Sequence, residues 1–169
     1  SQKIRIALRL KGETPPPGDY RAHFVLKELP RVKSIEEAKK NTVGIVMNLS
    51  FTIPVIYRVG DNNATAKIGA VKSEFNSEAK KIQALVTLNK TKSPYGVLGR
   101  VDIYHIPNGG SEVRIGSVSN AHVFPEISSR VVKVMLNTNE ISSGTLRIIY
   151  RDQRPDVKTI YDEKVIAIK

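Results

Sequence analysis

The chain of 169 residues contains no cysteine and no tryptophan. The first absence excludes a disulfide framework, a thiolate metal site and a cysteine nucleophile. It is compatible both with a cytosolic protein and with an exported one that does without disulfides. With four phenylalanines and six tyrosines, there is little material for base-stacking platforms, so nucleic acid is not an expected partner. No apolar run reaches membrane-spanning length, and the first residues lack the apolar segment of a signal peptide. A processed, exported protein stays open, and no membrane insertion is expected.

Recognisable chemistry is scarce as well. His23, His105 and His122 show no HExxH or other metal-ligand spacing and read as surface or packing residues. No GxGxxG loop, phosphate-binding loop or nucleophile elbow occurs. Ser128-Ser129 and Ser142-Ser143 fall in turns without a base nearby in sequence. Asp152, Asp156, Asp162 and Glu163 cluster near the C-terminus and read as solvated turn residues, unless a buried arginine stands opposite them. The expectation is therefore a non-enzyme with no catalytic residue, metal site or cofactor.

What is present is positive charge and strand pattern. Lys and Arg number 27 against 16 Asp and Glu, a formal net charge of +11, which favours acidic partners in general. The cations are spread along strands and loops, with clusters only at Lys39-Lys40, Lys80-Lys81 and the Lys3, Arg5, Arg9, Lys11 face. The run VGIVMNLSFTIPVIYRV, from Val43 to Val59, is about three times the length of an average strand. Val43, Ile45, Met47, Leu49, Phe51, Ile53 and Val55 recur in it with period two, while Asn48, Ser50 and Thr52 take the other face. Pro54 cannot donate to a central ladder, which places that stretch at a sheet edge or bulge. An apolar edge strand is normally blunted or covered; left open, it is a docking rail.

Around that run the chain reads as all-β. Ile4, Ile6, Leu8 and Leu10 alternate with Lys3, Arg5, Ala7 and Arg9, the signature of a half-buried strand. Three prolines and Gly18-Asp19 then make a turn before strand character returns at Tyr20. That placement suits the tyrosine corner of an immunoglobulin-like sandwich, and equally a plain core tyrosine. Residues 31–42 are polar; Ser34 and Glu37 have the spacing of a helix cap, but a loop is the expectation. Gly60-Asp61-Asn62-Asn63 is the best domain boundary. Beyond it come strand-like segments at 64–71, 82–89, 97–106, 113–118, 131–136, 145–151 and 164–168, the spacing of an antiparallel sandwich. Pro107-Asn108-Gly109-Gly110 joins two of them as a hairpin. Residues 1–60 supply only three strands, too few to close a two-layer core. The expectation is that the front of a first domain is missing from the chain.

GDYRAHFVLKELP, the polar loop and the long strand ending in IPVIYR resemble the end of the first domain of periplasmic chaperones for pilus and fimbria assembly, the partners of outer-membrane ushers. SNAHVFPE and ISSGTLRIIYRD look like the second domain of the same family, and the proline in IPVIYR resembles its archaic or alternative branch. The likeness covers essentially the whole chain. It implies two immunoglobulin-like β-sandwich domains in a boomerang arrangement, residues 1–60 being the C-terminal part of the first and residues 61–169 the second. It also implies a periplasmic location, with pilus subunits and an usher as partners.

In that family the last strand of the first domain is lent to a subunit whose own sheet lacks a strand. Backbone hydrogen bonds give affinity, and alternate apolar side chains enter the subunit's groove. The resemblance puts Ile45, Met47, Leu49 and Phe51 in that role, with Val43 lengthening the contact. The rival reading is that these side chains face their own core. Arg58 resembles the arginine that ties the two domains together, with Asp19 and Asp152 in the places of its acidic partners. One departure stands out: Pro54 occupies the position of a lysine that, in the other branch, helps grip the subunit's terminal carboxylate. Anchoring then differs in this branch, or Arg5, Arg9 or Lys27 contributes. The alternative to a chaperone is a structural or adaptor protein that self-associates through the same edge.

Overall fold

The computed structural model describes residues 3–29, 48–138 and 140–168. Among them every regular element is a strand: β1 (Gly18–Lys27), β2 (Ser50–Val59), β3 (Ala66–Asn76), β4 (Lys81–Lys90), β5 (Gly99–Pro107), β6 (Val113–Val118), β7 (Ser129–Met135), β8 (Gly144–Asp152) and β9 (Ile160–Ile168). The chain divides into two compact units. One is Tyr20–Arg58; the other is Val59–Lys169 together with Ser1–Asp19.

In the larger unit seven strands form two antiparallel sheets, ordered β3-β4-β7 and β6-β5-β8-β9. Alternation decides which side chains meet between them. Val86 and Leu88 of β4 and Val132 and Val134 of β7 join Val101 and Ile103 of β5 and Ile148 and Tyr150 of β8 in one buried cluster. Fully burying each such side chain is worth about 1.5–3 kcal/mol, and the pattern survives because three bulges re-phase it where a strand would drift out of step. In β3, Ile68 faces Leu88 but Val71 faces Val86, so the inward side chains change from even to odd numbers across Gly69-Ala70. In β6 the extra residue is Ile115, which the bulge turns into the core. In β9 it is Tyr161, whose ring lies 5.2 Å from that of Tyr150.

The open side between the sheets is stitched where β3 meets β9. The Asp162 Oδ2 accepts the Ile68 N–H at 2.7 Å, and Lys164 Nζ donates to the Gly69 carbonyl. The turn from β5 to β6 closes with the Gly110 N–H on the Pro107 carbonyl at 3.0 Å, and Gly109 takes φ +73° there. A side chain with a Cβ rarely adopts that conformation. At the Gly60 boundary, Asn62 Oδ1 accepts the Ala64 N–H at 2.8 Å while its amide donates to the Gly96 carbonyl.

Two sequence expectations need correction here. Lys3–Leu10 is not a half-buried strand: it forms no regular element, and Ile4, Ile6, Leu8 and Leu10 are all exposed. Alternation states which face a strand would bury, but it does not supply the neighbour that a ladder requires. Nor is Tyr20 a buried corner residue, since it is 41% exposed. Two buried tyrosines do bond the backbone: the Tyr150 hydroxyl donates to the Ala121 carbonyl at 2.8 Å and the Tyr95 hydroxyl to the Val59 carbonyl at 2.7 Å.

Candidate docking strand

The unit Tyr20–Arg58 is built on β1 and β2, which pair in a two-stranded sheet. The Glu28 N–H donates to the Leu49 carbonyl at 2.9 Å. The end of β1 therefore lies beside the start of β2, and the pair is antiparallel. Tyr20 and Tyr57 form a tilted ring pair at 6.4 Å across it, the kind of cross-strand contact that fixes register.

Two strands alone cannot bury a face. The side chain of Leu49, just before β2, and those of Phe51, Ile53 and Val55 within it are 55%, 57%, 53% and 37% exposed. The polar alternates Ser50 and Thr52 are exposed too. Within the described residues β2 has β1 as its one strand neighbour, so Pro54 stands in an edge strand. Leu49 and Phe51 thus lie on this edge, in the wet. Val43, Ile45 and Met47, expected to extend the rail, lie outside the described residues, as do Lys39 and Lys40.

The three residues expected to tie the domains are placed as follows. Asp19 closes the loop at 94–96: its N–H donates to the Pro94 carbonyl at 3.1 Å, and its Oδ2 accepts the Gly96 N–H at 2.8 Å. Arg58 is half-buried near the end of β2, in the other unit. Asp152 is buried at the end of β8. Its carboxylate takes Arg154 in a two-point contact, through Nε at 3.1 Å and Nη2 at 3.0 Å. It also accepts the Arg154 N–H at 2.9 Å and the Tyr161 hydroxyl at 2.9 Å. Burial raises the pKa of Asp152, but the bonds from Arg154 and Tyr161 outweigh it and hold the carboxyl below its usual range. Arg5, Arg9 and Lys27 are exposed.

Of the four C-terminal carboxylates expected in solvated turns, Asp152, Asp162 and Glu163 lie on strands instead, Glu163 being exposed there. Asp152 is bound as above, Asp162 holds β3 to β9, and Glu163 pairs with Arg147 at 2.8 Å. Only Asp156 sits exposed in the turn after β8. Periodicity placed these residues near a strand end but could not show that Arg147 and Arg154 stand opposite them.

Asp102, which no sequence motif singles out, has a fully buried side chain. Its Oδ1 accepts Arg100 Nη2 at 2.8 Å and the Ser117 hydroxyl at 2.7 Å, and its Oδ2 accepts Arg151 Nε at 2.7 Å. Register explains the meeting: Asp102 pairs with Ser117 on β6 and Ile149 on β8, while Arg100 pairs with Arg151. An aspartate between Val101 and Ile103 was the available signal.

His122 is a packing residue: Nδ1 accepts the Gly99 N–H at 3.1 Å, which assigns the remaining proton to Nε2, and its ring meets Phe124 edge-on. Burial, followed by the charge of Arg130, lowers its pKa against a smaller opposing effect of Asp152. His105 Nε2 lies 3.1 Å from the Ser142 carbonyl, and His23 is exposed. No group of three or more His, Asp and Glu able to hold a metal occurs among the described residues.

No family model matches the chain, and neither curated proteins nor solved structures give a match.

Proposed function

We propose that the protein is a non-enzymatic periplasmic chaperone of the chaperone-usher pathway. It binds incomplete pilus or fimbrial subunits by lending them β2 and the residues before it, and delivers them to an outer-membrane usher. The observation that carries this reading is β2: an edge strand among the described residues, exposed on both faces from Ser50 to Ile56, with the apolar side chains of Phe51, Ile53 and Val55, and of Leu49 just before it, at every second position of one face. Such a strand offers an incomplete sheet both a ladder of backbone groups and a row of apolar side chains. Two further features support it. The resemblance of GDYRAHFVLKELP and IPVIYR puts the last strand of a first domain at this place. The seven strands of the larger unit, split three and four with β3-β4-β7 against β6-β5-β8-β9, suit an immunoglobulin-like sandwich. In this reading Val43, Ile45 and Met47 continue the rail.

The test is co-expression with candidate subunits, followed by co-purification. Leu49→Ala and Phe51→Ala should each lower recovery of the complex more than Lys67→Ala, a change on an exposed residue of the larger unit. Polar replacement of Ile45, Met47 and Leu49 together should abolish recovery. Unchanged recovery with the triple replacement would defeat the proposal. A symmetric dimer through β2 that ignores every subunit would instead make the protein a self-associating adaptor.

A further inference from the structure

The outward face of the four-stranded sheet carries a second site, independent of β2 and wholly within the larger unit. Next to the end of β8 lies a groove of about 570 Å³ whose lining includes Tyr104, Ile149, Arg151, Arg154, Lys158 and Ile160. Its far wall is the turn after β8, folded back by the Asp152 N–H on the Thr159 carbonyl at 2.9 Å and the Val157 N–H on the Arg154 carbonyl at 3.2 Å.

The arginines Arg151 and Arg154 of this groove are fixed in place yet only partly used. Arg151 binds Asp102 through Nε, which leaves both terminal amino groups without a protein partner among the described residues. Arg154 grips Asp152 through Nε and Nη2, which leaves Nη1. Lys158 makes no hydrogen bond or ion pair with any described residue. The buried carboxylates thus do not silence the guanidiniums; they hold them in one rotamer with donors directed away from the carboxylate. Preorganised donors of this kind favour a carboxylate, which takes two parallel N–H bonds from one guanidinium. Arg147, on the same strand, is the contrast: Glu163 and Glu112 occupy it from two sides.

The floor between these cations is apolar. Ile149 points away from the main core and is still only 7% exposed, while Ile160 across from Arg151 is 52% exposed. We propose that this groove docks an acidic peptide segment, whose carboxylates meet Arg151, Arg154 and Lys158 while a neighbouring apolar side chain rests on Ile149 and Ile160. The net charge of +11 draws such a segment in from a distance. A phosphodiester backbone has nothing to lay on the two isoleucines, and a bilayer surface does not enter a recessed floor.

The experiment is a titration of the isotopically labelled full chain with a blocked peptide, Glu-Glu-Leu-Glu-Glu, followed by amide NMR shifts. Saturable shifts are expected at Tyr104 and across Arg151–Lys158. The double variant Arg151→Gln with Lys158→Gln should weaken binding about tenfold or more, two charge-assisted bonds being lost, while Arg147→Gln leaves it unchanged. Lys158→Gln alone, which disturbs no described contact, should move affinity in the same direction and serves if the double variant unfolds. Three results would overturn the proposal. One is no saturation; another is equal weakening by Arg147→Gln; the third is equal or tighter binding, at the same amides, of a thymidine oligonucleotide or of phosphatidylglycerol vesicles. None of these results depends on subunit capture by β2.

Discussion

Asp102→Asn removes one charge from the centre of the outward polar cluster while keeping the side chain's volume. The aspartate accepts three hydrogen bonds, from Arg100, Ser117 and Arg151, at 2.7–2.8 Å. The asparagine offers one acceptor oxygen and turns an amide group toward a cation. Breaking a buried pair from one side costs about 3–5 kcal/mol. Here the guanidinium side chains of Arg100 and Arg151 are 26% and 39% exposed and recover water, so the lower end applies, about 3 kcal/mol. For a unit of this size that is a fall in Tm of roughly 10–15 °C. Urea unfolding reads it directly as a lower midpoint with an unchanged slope.

The same carboxylate gives the loss a pH signature. Burial acts to raise its pKa, but the hydrogen bonds from Ser117 and Arg100 and the charges of Arg100 and Arg151 outweigh it, so the folded value lies below that of a free aspartate. A group depressed in this way stabilises the fold fully above its unfolded pKa, near 4, and loses that contribution as pH falls through the folded value. The difference between parent and variant should therefore be constant from about pH 7 to 5 and shrink below about pH 4. A difference under about 1 kcal/mol, or one that stays the same from about pH 5 to 3, would refute the reasoning.

Gly99→Ala should destabilise the larger unit by more than about 2 kcal/mol, since a Cβ there would come within 2.4 Å of the fully buried Tyr150 ring; a urea midpoint equal to the parent's would contradict this. His122 should titrate below its ordinary value of 6.5 in an NMR pH series, because burial and Arg130 disfavour its cation and protonation removes the acceptor for the Gly99 N–H. Stability should then fall as pH drops below about 6.5 and level off beneath the folded pKa, a slope that His122→Gln abolishes.

The strands of the larger unit were legible because their signal is local. Val131–Leu136 and Val113–Val118 are short runs rich in β-branched and apolar residues, turn residues bracket them, and the observed β7 and β6 fall within two residues of the expected bounds. Pro54 told of an edge for the same reason: a missing N–H is a property of one residue. What stayed hidden depends on residues far apart in the chain. Asp102 meets Ser117 and Arg151 only through the β5-β6 and β5-β8 registers, and Asp162 reaches Ile68 across 94 positions. Lys3–Leu10 shows the reverse case, a strong local pattern to which no strand comes among the described residues.

The geometry of β2 limits how a docked strand would use it. Alternate residues of a strand turn their N–H and C=O to the same side. The Leu49 carbonyl points to β1, where it accepts from Glu28, so Phe51, Ile53 and Val55 also bond inward and Ser50, Thr52 and Pro54 face the free edge. The missing N–H of Pro54 therefore leaves the pairing with β1 intact and interrupts the outward ladder instead. A partner strand that pairs on the N-terminal side of Pro54 does so without interruption, through the outward backbone groups of Ser50 and Thr52. Leu49, Phe51, Ile53 and Val55 are already about half covered, so burying the rest would contribute roughly 3–6 kcal/mol, against an association cost of about 4–15 kcal/mol. Side chains alone thus do not carry the association. A useful affinity then rests on the backbone bonds of the stretch before Pro54, where β1 already holds Ser50–Thr52 extended and so reduces the ordering that a partner must impose.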